Sequence, residues 1–419
     1  MRSLRYLRIF ILSLIVTAYP AQYAVAQDVE TIANDSGVKT SDRHELVKKR
    51  APKVVQLYPD ATRREPDLKP TAGMSKDIAE MHSLVDAKNN DGAIALGEKM
   101  LADHSANHFD RAVAYQGIGY AYFGKRDFVK AAEQLQNCIN ENAFTNNDHY
   151  QTMLNLAQMQ INAGQVDAGL ATLDRLVSET KLDKPEYNAM RGRVYYTQKN
   201  YAAAAQALQK AVDNAQNPDD NINQLLMASY FELKQPERAE KIALQMLQKH
   251  PGDKTLMLNL ASIYGQAGQN DKAAAMLEDA RSRGLLTDAK DYRRLYVIYS
   301  NLPGKEVQTI AVINDGLQKQ ILKPSAEAYT KLAESYYALK QPAQAIDAYR
   351  RADSLSSDGE AGLNLARVLY NEKRYAEARS AARQAMQKGL QRPEDAKRLL
   401  AQIDNAGGKS ATRVTKKKK

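Results

Sequence analysis

Few residues in this chain have the type and spacing that chemistry needs. His104 and His108 stand one helical turn apart between Asp103 and Asp110, the beginning of a metal-ligand set. The four fall at a break between two periodic stretches, and an intact site needs more ligands, so no metal is expected. Cys138 is the only cysteine, which leaves no internal disulfide. It occupies a small-residue position of an amphipathic stretch, as a buried structural thiol would, rather than a nucleophile. Asp219 and Asp220 follow Pro218 and read as a solvated helix start. The sequence has no GxSxG elbow, P-loop, dinucleotide glycine fingerprint or HExxH helix. No catalytic residue and no cofactor is assigned, and a non-enzymatic protein is expected.

What remains is a set of rings. Phe123, Tyr196, Phe231, Tyr337 and Tyr370 recur at one position of several helical stretches, and Tyr120 falls on the same face of its own. Two readings stay open. The rings pack between neighbouring units as core, or they form a ladder with polar tips along a groove suited to an extended or Pro-rich peptide.

The elements that must position these rings are short amphipathic helices in pairs. In the stretch Ala328 to Ala352, Tyr329, Leu332, Ala333 and Tyr336 follow the three-and-four spacing of one helical face. Lys340, Gln341 and Pro342 interrupt the period, and Ala345, Tyr349 and Ala352 form the next stripe. The small residue of each second helix gives a ruler: Ala93, Ala131, Gly169, Ala204, Ala239, Ala273, Thr309, Ala345 and Ala378, in steps of 33 to 38 residues. Two units are weak. The first keeps Ala93 but has poor consensus in its first helix, and the one at Asp291 to Gly316 keeps Tyr292, Leu295 and Tyr299 but carries a one-residue insertion around Pro303-Gly304, with Thr309 and Gly316 where alanine is usual. Pro393 to Asp404 reads as a polar-backed capping helix, which a stacked array needs at its open end.

Two helices per unit and a period of about 34 residues resemble the tetratricopeptide (TPR) repeat superfamily over Lys76 to Leu390. The resemblance implies an all-α fold, a right-handed α-solenoid of about nine TPR hairpins with a C-terminal capping helix. It also implies that the first helix of each unit lines a concave face, so that Tyr120, Phe123, Tyr196, Phe231, Tyr337 and Tyr370 become the candidate peptide-binding surface. The lysine and asparagine pattern with which some TPR domains clamp a peptide carboxylate is missing. Gln116, Leu154 and Ala189 stand at such positions.

A narrower likeness lies in FELKQPERAEKIALQML at Phe231 to Leu247 and LASIYGQAGQNDKAAAMLEDARSRGLLT at Leu260 to Thr287. These look like a periplasmic TPR family associated with TonB systems. That resemblance implies a secreted adaptor for the ExbB–ExbD–TonB machinery, with TonB, ExbB or ExbD as protein partners. The alternatives are an adaptor for envelope assembly or cell-wall synthesis, or an accessory subunit of an enzyme.

Charge and the two termini complete the organisation. The formal net charge of +10 suggests nucleic acid, but Arg2, Arg5, Arg8, Lys409, Arg413 and Lys416 to Lys419 carry nine of those charges at the ends. The body is close to neutral and lacks the basic stripe that phosphate binding favours, so no nucleic-acid partner is expected. Arg2, Arg5 and Arg8, the apolar run Ile9 to Ala18, and Ala24-Val25-Ala26 read as a secretory signal over 1–26, cleaved after Ala26 for export to the periplasm. Residues 27–73, with Pro52, Pro59, Pro66 and Pro70, read as a flexible arm. Its island Val54, Val55, Leu57 and Tyr58 either packs on the first helices or serves as a docking peptide. The solenoid is placed at 74–405, and Gly407-Gly408 opens a disordered basic tail at 406–419. Its lysines suit weak contact with an anionic envelope surface, at roughly 1 kcal/mol per basic residue.

Overall fold

The computed structural model describes the backbone of residues 55–415 and the side chains of residues 55–406. The secretory signal at 1–26, the first part of the arm with Val54, and residues 416–419 lie outside the described residues. Within them are nineteen helices and no strand. They form nine hairpins and a closing helix: α1 (Ser75–Asp86) with α2 (Asn90–Ala102), α3 (His108–Gly124) with α4 (Phe128–Glu141), α5 (Asn146–Asn162) with α6 (Val166–Thr180), and α7 (Pro185–Thr197) with α8 (Tyr201–Asn214). Next come α9 (Asp220–Glu232) and α10 (Pro236–Lys249), α11 (Lys254–Gln266) with α12 (Asn270–Ser282), and α13 (Ala289–Ser300) with α14 (Glu306–Gln318). The last are α15 (Ala326–Ala338) with α16 (Pro342–Leu355), α17 (Glu360–Asn371) with α18 (Tyr375–Lys388), and α19 (Pro393–Thr415). The fold is the all-α solenoid that the period implies. The chain divides into two compact units inside α9, between Ser229 and Tyr230.

All nine ruler residues, Ala93 through Ala378, are buried in their second helices. In the first unit one core cluster gathers Met81, Met100, Phe109 and Phe144, and another gathers Leu135, Tyr150, Leu156, Leu173 and Tyr187. In the second unit a single cluster runs from Met257 through Tyr292, Leu332 and Tyr349 to Ala396, Leu399 and Ile403 of α19, which closes that end.

Eight hairpin turns share one design. The residue two places after the first helix is left-handed: Lys88, Arg126, Gly164, Lys199, Lys234, Gly268, Lys340 and Lys373. The next N–H then reaches back five residues, as in Asn89 to Leu84 O (2.9 Å) and Gln341 to Tyr336 O (2.9 Å). This six-to-one bond is the Schellman closure of a helix end, usually made by glycine. Here lysine or arginine fills most of these positions, so the turns carry no glycine signal in the sequence. The hairpin of α13 and α14 departs from the design. Its turn runs from Asn301 to Lys305, with Gly304 at φ 73°, where the others take three residues. A polar cluster ties that hairpin instead: Asp315 accepts from Tyr292 Oη (2.9 Å) and Arg281 Nη1 (2.8 Å), and pairs with Lys319 Nζ (2.9 Å).

The described part of the arm differs from the flexible segment expected over 27–73. Residues 55–74 lie as a strap across the loop ends of α3 to α7. Thr71 Oγ1 donates to Asp110 (2.5 Å), and Lys69 O accepts from Asn107 Nδ2 (2.8 Å). Arg63 binds Asn142 Oδ1 (2.7 Å), Asn146 Oδ1 (2.7 Å) and Phe144 O (2.9 Å), and Thr62 N donates to Glu179 O (2.8 Å). Tyr58 is only 4% exposed. Its ring lies 5.1 Å from that of Tyr150, with Lys184 Nζ 4.4 Å from its centroid. The island therefore packs through Tyr58 on α5 and the start of α7 rather than on the first helices, while Val55 and Leu57 stay exposed. The described tail also differs: α19 runs through Gly407 and Gly408 to Thr415. Glycine weakens a helix by about 1 kcal/mol each but does not end it without a capping partner.

Two substitutions test these features. Tyr58→Ala should cost about 3 kcal/mol or more of unfolding free energy and hasten trypsin cleavage after Arg63 and Arg64. Lys340→Gly should stabilise by about 0.5–1 kcal/mol while Lys340→Val destabilises by about 1–3 kcal/mol, both read by thermal unfolding.

Candidate functional site

The six rings do not share one environment. Phe123, Tyr196 and Tyr370 pack on the aromatic residue that opens the second helix of their own hairpin. The centroid distances are 6.3 Å to Phe128, 5.4 Å to Tyr201 and 5.7 Å to Tyr375. Phe123 and Tyr370 also pack against the core clusters of their units, so this pairing within a hairpin adds to the two arrangements expected from sequence without deciding between them. Phe231 is 4% exposed, and its carbonyl accepts from Gln266 Nε2 (3.0 Å). Tyr120 is half-buried, its hydroxyl accepts from Asn155 Nδ2 (2.9 Å) in the next hairpin, and burial pushes the phenol well above its ordinary value. Tyr337 is different: it is 39% exposed, and its hydroxyl accepts from Asn371 Nδ2 (2.7 Å) across the hairpin boundary. It is the ring best placed to meet a partner.

The other chemistry-bearing residues take structural roles. His108 Nδ1 lies 2.7 Å from Glu141 Oε2, and Arg111 holds the same carboxylate through two bonds. Desolvation pushes the Glu141 carboxyl up, but hydrogen bonds from Arg111 and His108 outweigh it and hold the group below its ordinary value. His104 stays exposed. Asp110 is buried, completes a capping box with Asn107 and anchors Thr71 of the strap. Among the described residues no group of three His, Cys, Asp or Glu side chains could hold a metal. Cys138 is buried, which raises its thiol well above the usual range.

Sequence reasoning missed the surroundings of the strap. Arg63 and His149 meet there because an aperiodic segment folds back over helices many residues away, and only the island at Tyr58 hinted at it. His149 is 2% exposed, its ring stands edge-on to Tyr150 at 5.3 Å, and its Nε2 has no hydrogen-bond partner. Burial first, then the charges of Arg63 and Arg175, bring its pKa down to about 3 from 6.5. A histidine kept neutral in the fold binds fewer protons than the unfolded chain between those values. Its stabilising effect is therefore full above the unfolded value and is lost as pH falls toward the folded one. His149→Phe should remove about 2 kcal/mol of the stability difference between pH 7 and pH 4.5, measured by denaturant unfolding.

Comparison with known proteins agrees with the architecture. A tetratricopeptide repeat-like domain matches residues 71–230, and tetratricopeptide repeats match residues 230–294 and 326–358, with a further one over 361–402. The gap at 295–325 falls on the irregular α13–α14 hairpin. No curated protein matches the chain. Among solved structures, a tetratricopeptide repeat protein from Parabacteroides merdae is 17% identical, covering 58% of this chain and 93% of its own, with a TM-score of 0.39. The C-terminal part of a TPR repeat-containing protein from Cytophaga hutchinsonii is 15% identical over 67% of this chain and 95% of its own, with a TM-score of 0.40. The MamA protein is 18% identical over 42% and 94%, with a TM-score of 0.36. The nine buried small-residue positions, the paired helices and the matches to repeat families together identify a chain built of tetratricopeptide repeats.

Proposed function

We propose that this chain is a non-enzymatic periplasmic adaptor that holds an extended segment of a protein partner and serves a TonB-type energy-transduction system. Repeats of this class form protein–protein interaction scaffolds, which carries the general part of the reading. The observation that carries the binding part is Tyr337. Its ring is exposed on a first helix, and the Asn371 amide fixes its hydroxyl, so little side-chain freedom is lost on contact with a partner. A ring with a polar tip suits an extended or Pro-rich peptide. The TonB assignment is supported by the likeness of Phe231 to Leu247 and Leu260 to Thr287 to periplasmic TonB-associated proteins. The export pattern ending at Ala26 supports the compartment.

Direct titration with the purified periplasmic parts of TonB and ExbD tests this. Tyr337→Ala should weaken binding about ten-fold with the melting temperature nearly unchanged, because an exposed ring adds little to the core. Phe231→Ala should instead lower stability by about 3 kcal/mol. Absence of binding to either component, together with absence of both and of ExbB from cross-linked envelope extracts, would remove the TonB assignment.

A further inference from the structure

An open cavity of about 440 Å³ lies in the first unit between the strap and the ends of α4, α5 and α6. Arg63 and Thr62 of the strap line one side, and Asn140, His149, Arg175 and Glu179 line the other. Its electrostatics are unbalanced. Arg175 has a carboxylate partner, Glu179 Oε1, at 2.6 Å. Arg63 does not: its acceptors are the amide oxygens of Asn142 and Asn146 and the carbonyls of Asn142 and Phe144, all neutral. Among the described residues no carboxylate comes within ion-pair distance of it. Desolvation lowers the Arg63 pKa, as for a cation partly removed from water, and the two arginines help to hold His149 neutral. The wall thus offers one guanidinium with no carboxylate in ion-pair contact, on which Glu65 and Glu179 act only from farther off, and a second shared with Glu179, beside a buried imidazole nitrogen without a partner. A half-buried charge in this state is stabilised by an anion far more than an exposed one would be.

We propose that this cavity binds a monocarboxylate of amino-acid to dipeptide size, its carboxylate held by Arg63 and Arg175 and its polar groups by Thr62 and Asn140. The cavity volume lies in the ordinary range for small-molecule sites, about 300–1,000 Å³. Glu179 on the same wall works against a dianion such as phosphate. The carboxylate belongs either to a free organic acid or to the C-terminus of a short peptide. Because Arg63 and Thr62 form one wall, the ligand binds only the chain with its strap in place. Occupancy must therefore stabilise the strap by linkage.

The test is calorimetric titration of the purified full chain at constant ionic strength with sodium acetate, Ala-Ala and Ala-Ala amide, using sodium chloride as the reference salt. Saturable binding of both carboxylates identifies a free-acid site, and saturable binding of Ala-Ala alone identifies a peptide-terminus site. In either case Arg175→Gln should weaken binding about ten-fold with little change in melting temperature, since Arg175 is half exposed and pairs with Glu179 within one helix. Arg63→Lys, which keeps the charge but loses the planar donor set that ties the strap to Asn142, Asn146 and Phe144, should weaken it too. Bound ligand should also slow trypsin cleavage after Arg64. The proposal falls if neither carboxylate binds saturably at millimolar concentration, if the amide binds as well as the acid, or if both variants bind like the parent chain.

Discussion

The distance of closest approach between the two helices of a hairpin governs this fold. The second helix presents alanine, or once each glycine and threonine, with no room for more. In two hairpins the first helix answers with glycine. A Cβ on Gly119 would stand 2.8 Å from Leu135 Cδ2, and one on Gly192 would run into Leu208. The leucine, not the backbone, fills the space between the helices, and an added methyl group on the opposing side would have to displace it. Once that distance is set, each hairpin has one apolar face left over, which only the next hairpin can cover. The clusters running through successive hairpins in each unit follow directly.

Close helices require tight turns, and here the chain makes an unusual choice. A left-handed residue costs lysine more than glycine, yet six of the eight regular turns use lysine or arginine. The side chain at such a turn is exposed, and the six-to-one bond behind it holds the conformation. Where the turn lengthens at Asn301 to Lys305 that bond is lost, and Thr309 and Gly316 replace the usual alanines. The hairpin then relies on Asp315, which three donors surround and which keeps a lowered pKa although desolvation works against it. Polar closure has replaced steric closure in the one hairpin that the repeat families do not match.

The repeat was legible because its signal is periodic. The nine ruler residues and the insertion at Pro303-Gly304 could be placed from spacing alone, and all nine proved buried. The rings were legible only in part. Spacing put them on first helices, but it could not show that Phe128, Tyr201 and Tyr375 wait one turn later to cover three of them. The strap was hidden, since extended segments have no period and Tyr58 finds its partners about ninety to one hundred and thirty residues downstream. Arg63 and His149 share a wall for the same reason.

The strap also changes how the first unit should hold together. In a simple array each hairpin touches only its neighbours, so stability is a sum of local terms and unfolding can start at any weak unit. Residues 55–74 break that rule by binding Asp110 on α3, Asn146 and Asn147 on α5, Glu179 on α6 and Lys184 before α7 in one continuous segment. Opening any one of these hairpins must either release the strap or pull on the others, which couples them beyond nearest neighbours. The second unit has no such segment among its described residues. It ends instead in α19, whose Asp404 pairs with Arg379 one helix back, while Gly359 N donates to Gly389 O across the last hairpin. Those contacts are all local. Cooperative opening of the first unit and progressive fraying of the second follow from the same repeat, joined to different terminal segments.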